Sequence, residues 1–324
     1  KLRRAMLLRN LAVPAALVIN KACALYLASI IDAMRSVTKN GKPAHDLPDT
    51  IDSKSMLSKY PRGAYTTART VNFESVFEFE THVRRLAQST KLMLEKENLP
   101  MIDSITEPEN LRPLLKNTFK SCIEQFSQRY PDYVGELRLT VLVDWELDGV
   151  REDENFCLLC HGAPLPKRRA PPVVLEVRGK PRENALIKDS GWVNERRSLE
   201  ALKDASHDEI ILPNDRGQLL EGTLTNFYAV MDGTVFTAGE GVLEGTVRRL
   251  ILHVCRENKI PVVLEAPFLK DIDRWEGCIV SSTSRLALPV DKIIVPKDGE
   301  RAKSGDKCRT FEGSEICRRI DELV

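Results

Sequence analysis

The sequence predicts an α/β protein, an α+β small domain followed by a larger mixed α/β domain. Three observations carry that prediction. Short β-prone runs alternate with helix-length stretches from Ala64 onward, one proline-rich basic segment divides the chain, and 324 residues suffice for one large or two moderate cores.

Taken in order, residues 39–63 are rich in Gly, Pro, Asp, Ser and Lys and read as loops, so regular structure is expected to begin near Ala64. Ala64–Thr70 and Ser75–Phe79 have strand composition, and Glu80–Glu95 and Glu107–Gln128 read as helices. Leu137–Trp145 is a nearly continuous β-prone run, with Phe156–Leu159 as its expected sheet neighbour. Gly162–Pro172 holds four prolines and the Lys167-Arg168-Arg169 triplet. It is the expected linker, with the small domain over 37–165 and the large one over 173–324, and its triplet reads as a solvated loop. Beyond it, Val173–Val177, Ile210–Leu212, Leu219–Leu220, Phe227–Met231 and Val235–Thr237 read as strands, with Asp232-Gly233 as a hairpin turn. Trp192–Ala205, Gly245 to about Glu257 and Glu312–Leu323 read as helices, and Pro261–Glu265 and Gly277–Ser281 as further strands.

Residues 1–36 form a basic, apolar N-terminal extension without an acid before Asp32. A membrane anchor is disfavoured because Lys21 interrupts the apolar run, and a central lysine costs roughly 2.5–3.5 kcal/mol on insertion. An organelle presequence, which would send the chain to a plastid or mitochondrion instead of the cytoplasm, and a surface helix are the other readings.

Lys+Arg (48) nearly balance Asp+Glu (47), which argues against nucleic acid as the partner and points to a small molecule. The eight cysteines are too sparse for a disulfide scaffold and favour a reducing, intracellular setting. Cys157-Leu158-Leu159-Cys160-His161 has the spacing of haem attachment or a redox pair, yet the leucines read as strand and no second ligand pair accompanies it, so packing is the expected role. No metal is expected. Gly239-Glu240-Gly241 misses the dinucleotide-loop spacing, and His45, His207 and His253 are isolated.

Some residues stand out on physical grounds. Lys188 ends an apolar stretch and precedes Asp189-Ser190, a helix N-cap pattern, which would hold its amine at a strand-to-helix junction. A lysine desolvated there would lose its proton and become nucleophilic toward an aldehyde. Glu221 follows two leucines and precedes glycine and a β-prone run, an unusual place for an acid. Gly245-Thr246-Val247 opens a helix, where unpaired N–H groups favour a phosphate.

Five ordered blocks then carry a resemblance: Arg62-Gly63-Ala64-Tyr65 to Thr70 with His82-Val83-Arg84-Arg85-Leu86 and Ser89; Ala185-Leu186-Ile187-Lys188; Leu220-Glu221-Gly222 to Phe227; Leu243-Glu244-Gly245-Thr246-Val247-Arg248; and Ser281-Ser282-Thr283-Ser284 to Pro289-Val290. Together they span 62–290. The set resembles fold-type IV pyridoxal 5′-phosphate (PLP) enzymes, the branched-chain and D-amino-acid aminotransferases and aminodeoxychorismate lyase. The resemblance implies the D-amino-acid aminotransferase-like fold and Lys188 as the catalytic lysine that carries PLP. It implies Arg85, Glu221, Thr246, Val247 and Thr283 as cofactor contacts, and Tyr65, Arg69, Arg138 and Ser284 facing substrate.

It further implies a homodimeric enzyme of amino-acid metabolism that moves an amino group between an amino acid and a 2-oxo acid. The lyase, or a PLP-binding homologue without turnover, is the alternative. The sequence also departs from the family. Val193 stands where many transaminases place an aromatic residue and Trp192 beside it is expected to point elsewhere; Val247 replaces a frequent hydroxyl; and Val143 offers no counterpart of a carboxylate-trapping arginine.

Overall fold

The computed structural model describes residues 31, 33–44, 48, 50–145 and 156–324. The extension over 1–30, with its anchor, presequence and helix readings, and His45 lie outside the described residues. No helix among the described residues is long and apolar enough to cross a membrane.

Structure begins earlier than the composition of 39–63 suggests. Strands β1 (Ser36–Lys39) and β2 (Lys42–Pro43) form a hairpin, and α1 (Ser53–Lys59) follows. Asp52 caps α1, accepting the Ser55 N–H at 2.8 Å. This cap, with Met56 and Leu57 buried one turn on, makes a helix of a segment whose polar composition reads as loop.

Next come β3 (Tyr65–Val71), β4 (Ser75–Val76), α2 (Phe79–Lys96), the short α3 (Asp103–Thr106), α4 (Pro108–Arg129), β5 (Leu137–Asp144) and β6 (Cys157–Pro164). The strand expected over Ser75–Phe79 stops after Val76, because Glu78 turns left-handed (φ 50°) and launches α2. The order β2-β1-β6-β5-β3-β4 makes an antiparallel sheet, with α4 on β6 and β1 and α2 on β3. In β6 the thiols of Cys157 and Cys160 are three residues apart and therefore face opposite sides of the sheet. Cys160 is buried beside Cys122 of α4, while Cys157 lies near Asp144. That geometry rules out a shared ligand for the pair.

The second sheet holds β7 (Val174–Val177), β8 (Glu209–Pro213), β9 (Leu219–Gly222), β10 (Asn226–Met231), β11 (Thr234–Phe236), β12 (Val262–Val263), β13 (Gly277–Ser282), β14 (Leu286–Val290), β15 (Lys292–Val295) and β16 (Lys307–Thr310). The Asp232-Gly233 turn joins β10 to β11 with both residues at positive φ (49° and 70°). Strands β14 to β16 were not foreseen; Pro289 and the flanking charges obscure their alternation. Helices α7 (Thr246–Glu257) and α8 (Glu315–Leu323) cover one face through Val247, Ile251, Cys255, Cys317 and Ile320, packed on Tyr228 and Ile279. The other face packs Phe227, Cys278 and Val280 against Trp275 and Phe311.

Between β7 and β8, the helix expected over Trp192–Ala205 divides into α5 (Trp192–Glu195) and α6 (Arg197–Leu202), hinged at Arg196.

Candidate active site

The segment carrying Lys188 is stitched to the entrance of β3. The Tyr65 N–H donates to the Lys188 carbonyl at 2.9 Å, and the Ser190 N–H to the Gly63 carbonyl at 3.0 Å. The Gly63 N–H donates to Ser190 Oγ at 3.1 Å, and Arg62 is ion-paired with Asp189. Gly63 is required here, since a Cβ would lie 2.0 Å from the Val143 carbonyl oxygen. From α2, Ser89 Oγ accepts the Lys188 N–H at 3.1 Å. Asp189 therefore does not cap a helix, as its sequence position suggests; one carboxylate oxygen takes the Gly191 N–H and both face Arg62.

This junction borders a cavity of about 510 Å³. Of the residues implicated by sequence, Lys188, Arg85, Glu221, Thr246, Val247, Thr283, Tyr65, Arg138 and Ser284 line it. Arg69 does not: it sits opposite Arg138 on the β3–β5 ladder, two pairs along from Thr67 and Thr140, which do.

The Lys188 amine lies 4.5 Å from the centre of the Tyr65 ring. Burial, with Arg85 and Arg182 nearby, brings it down to about 8, against the opposing pull of Tyr65. Burial alone would raise Tyr65, but Lys188, Arg196 and Arg182 outweigh it and hold the phenol at about 8.

Arg85 is a buried guanidinium without a carboxylate partner among the described residues. Its Nη2 donates to Thr66 Oγ1 at 2.8 Å and approaches His82 Nδ1 at 3.3 Å, while its Nε has no partner. Burial lowers it to about 10. Thr246 Oγ1, in the first turn of α7, is also buried and unpartnered. Gly245 precedes that turn with no side-chain cap, leaving its N–H groups free, and a Cβ on Gly245 would lie 2.0 Å from Asn226 Oδ1. A buried cation, an orphan hydroxyl and a helix N-terminus on one cavity fit a phosphate.

Glu221 is 3% exposed on β9. Burial pushes its carboxyl up, while Arg182, the Leu243 N–H and Lys188 pull it down. Arg182 Nε donates to Oε1 at 2.8 Å and the Leu243 N–H to Oε2 at 3.0 Å. A buried carboxylate, a lysine of depressed basicity and a phosphate cradle lining one cavity match the charges of PLP: ring nitrogen, aldehyde and phosphate.

Several lining residues escaped the sequence reading. Trp192 faces the cavity, contrary to expectation, and donates Nε1–H to the Thr223 carbonyl at 2.8 Å. Arg182 and Arg196 also line it; both sit in irregular or broken segments where no periodicity marks an inward side chain. Lys167, Arg168 and Arg169 are exposed, as expected of a solvated loop, and also border the cavity: Arg168 bonds the Ala287 carbonyl at 2.7 Å and Arg169 pairs with Asp208 at 2.6 Å. The described residues contain no cluster that could hold a metal.

A family model for amino-transferase class IV matches residues 63–293. The D-alanine aminotransferase of Staphylococcus epidermidis is 35% identical over 96 residues, 28% of this chain and 32% of that protein, so this match reaches about a third of the relative's length. Among solved structures, the branched-chain aminotransferase of Thermoproteus uzoniensis superposes with a TM-score of 0.64 at 18% identity, covering 89% of this chain and 92% of that one. A hypothetical aminotransferase from Mycobacterium tuberculosis, in a PLP-bound form, does so with a TM-score of 0.64 at 18% identity, covering 89% and 96%. At that identity the structural likeness concerns the fold, and the family match concerns the chain itself: this protein belongs to the class IV amino-transferases.

Proposed function

We propose that this chain is a PLP-dependent aminotransferase that moves an amino group between an amino acid and a 2-oxo acid. The observation that carries the reading is the convergence on one cavity of Lys188, Glu221 and the Arg85–Thr246 cradle. When bound, PLP supplies an aldehyde that receives the amino group and a ring that withdraws electrons from the substrate Cα.

The chain's own groups supply the rest. Arg85, Thr246 Oγ1 and the first-turn N–H groups of α7, Val247 included, would hold the phosphate, and Thr283 borders the same cavity as a further hydroxyl donor. Glu221 would keep the ring nitrogen protonated. Lys188, neutral in a substantial fraction of molecules near neutral pH, can attack a carbonyl and later take and return the Cα proton. Arg138 projects from β5 with Nε buried and unpartnered, its nearest bond a 3.4 Å contact to Ser53 Oγ, and it has no carboxylate partner among the described residues. A fixed guanidinium fork suits a substrate carboxylate. With the Thr283-Ser284 turn holding the α-carboxylate, Arg138 would take the side-chain carboxylate of a glutamate-like donor, and Tyr65 would line the same pocket. Assembly as a homodimer belongs to the same proposal.

The test is the visible spectrum of the purified chain with PLP. Wild type should show a band that Lys188→Ala lacks; glutamate should bleach it and 2-oxoglutarate restore it, and Arg138→Leu should slow acidic donors more than neutral ones. If no amino acid of either hand bleaches the band while aminodeoxychorismate yields pyruvate, the protein is a lyase.

A further inference from the structure

Arg182 lies outside every block of the family resemblance, yet it makes the closest contacts to the buried acid of the cavity. Its Nε and Nη2 lie 2.8 and 2.7 Å from Glu221 Oε1. The same Nη2 reaches the Ala185 carbonyl at 3.0 Å, three residues before Lys188, and the guanidinium lies 5.6 Å from the centre of the Trp192 ring. One side chain thus ties β9, the Lys188 segment and Trp192 together.

We propose that Arg182 is a positioning residue that keeps Glu221 ionised and leaves one of its lone pairs free for the cofactor ring, an inference that rests on the reading of this cavity as a PLP site. An ionised carboxylate accepts about four hydrogen bonds. Arg182 occupies Oε1 with one hydrogen bond and a second close contact, the Leu243 N–H takes one position on Oε2, and an acceptor position on Oε2 remains.

The groups facing Glu221 are Arg182, the Leu243 N–H and Lys188. A lysine that carries the cofactor, or is neutral while it accepts a proton, no longer contributes a full cation. Arg182 is then the one cation left beside Glu221 among the described residues. A carboxyl this deeply buried takes up a proton unless a cation opposes it, and a protonated Glu221 could no longer hold the ring nitrogen in its charged form. As a stabiliser the pair has little to offer, because desolvation offsets most of the attraction in a buried ion pair. Its consequence lies in the charge on Glu221.

The test uses the full-length chain as Arg182→Met, Arg182→Lys, Glu221→Gln and Arg182→Met/Glu221→Gln, with circular dichroism to confirm folding. Infrared difference spectra of the cofactor-free proteins in a Lys188→Ala background, which leaves Arg182 as the cation beside Glu221, read the protonation of Glu221 directly at neutral pH. Arg182→Met should gain a protonated-carboxyl band that the double variant lacks, and Arg182→Lys should not gain it. Loaded with PLP, Arg182→Met and Glu221→Gln should slow the half-reaction with an amino acid by similar factors, on the order of 100-fold, with the double variant within about threefold of either. The pH titration of the visible band should shift alike in all three. Absence of the carboxyl band in Arg182→Met, or a double variant slowed by the product of the single effects, overturns the proposal. If Arg182→Met does not fold, Arg182→Gln takes its place in the same comparison. Failure of the wild-type chain to take up PLP would sink the functional reading alone, since the infrared result is obtained without cofactor.

Discussion

Cofactor capture by Lys188 should follow the titration of its own amine. A lysine titrating at 10.5 is neutral in about one molecule in 1,000 at pH 7.4, whereas one brought down to about 8 is neutral in about one in five, a gain of roughly 250-fold in attacking amine. The rate of PLP uptake by the cofactor-free chain, followed by the growth of the visible band, should therefore climb about tenfold per pH unit at acidic pH and level off near pH 8. Tyr65 supplies a control with a definite sign. Burial, Arg85 and Arg182 lower Lys188, whereas Tyr65, whose ring lies 4.5 Å from the amine, raises it. Tyr65→Phe removes the opposing influence, so the levelling-off should move below pH 8 and uptake at pH 7 should quicken. A wild-type profile still rising past pH 10 would show that the amine is an ordinary solvated one, and an upward displacement in Tyr65→Phe would show that the pair is not coupled as described.

Other substitutions probe the frame around the amine. Arg85→Met should weaken PLP binding by about 10- to 150-fold, the worth of one hydrogen bond to a charged group at roughly 1.5–3 kcal/mol, while the unfolding temperature of the cofactor-free chain stays level or rises because a buried unpaired cation is gone; equal affinity at matched salt removes Arg85 from the cradle. Gly245→Ala places a Cβ against Asn226 Oδ1, so chemical denaturation should register a loss of about 1–3 kcal/mol and PLP should bind more weakly still. Ser89→Ala leaves the Lys188 N–H without its acceptor and should cost about 1–3 kcal/mol with slowed cofactor uptake, both largely restored by Ser89→Thr; unchanged uptake would detach Ser89 from the lysine's placement.

What the sequence disclosed about this site follows local chemistry. Gly245 before Thr246 was legible as a helix start, and the chain does begin α7 there. Lys188 was legible because an apolar run ends on it, although the expected Asp189-Ser190 cap became instead a pair of tethers to Arg62 and Gly63, long-range partners no local pattern encodes. The helix α1 was obscured by its polar composition; Asp52 followed three residues later by Ser55 was the available signal. Arg182 and Trp192 were beyond reach for another reason. An irregular segment (Arg182) and a single helical turn (Trp192) have no period from which to infer facing, so only the tertiary structure turns these side chains inward. The Lys167-Arg168-Arg169 triplet has the composition of a solvated loop, and carboxylate and carbonyl partners far along the chain bring it to the cavity rim.

Charge unites these observations. The whole chain is nearly neutral, yet ten basic and three acidic side chains line the cavity. Six of the basic groups have carboxylate partners: Arg182 with Glu221, Arg169 with Asp208, Arg285 with Glu209, Arg168 with Asp321, and Lys54 and Arg196 with Glu200. Four have none among the described residues: Arg85, Arg138, Lys167 and Lys188. Lys167 is exposed at the rim, where water solvates it at little cost. The other three are inside, where an uncompensated cation is expensive, and the chain meets that cost differently at each. Lys188 can shed its proton. A guanidinium does so far less readily; burial lowers both Arg138 and Arg85, Arg85 to about 10. The buried Arg85 and the half-buried Arg138 are therefore the places on this cavity that favour an anion from outside the chain, a phosphate and a substrate carboxylate under the proposed function. Under the proposed function, a phosphorylated aldehyde and a dicarboxylic amino acid would together neutralise both while offering a carbonyl to Lys188.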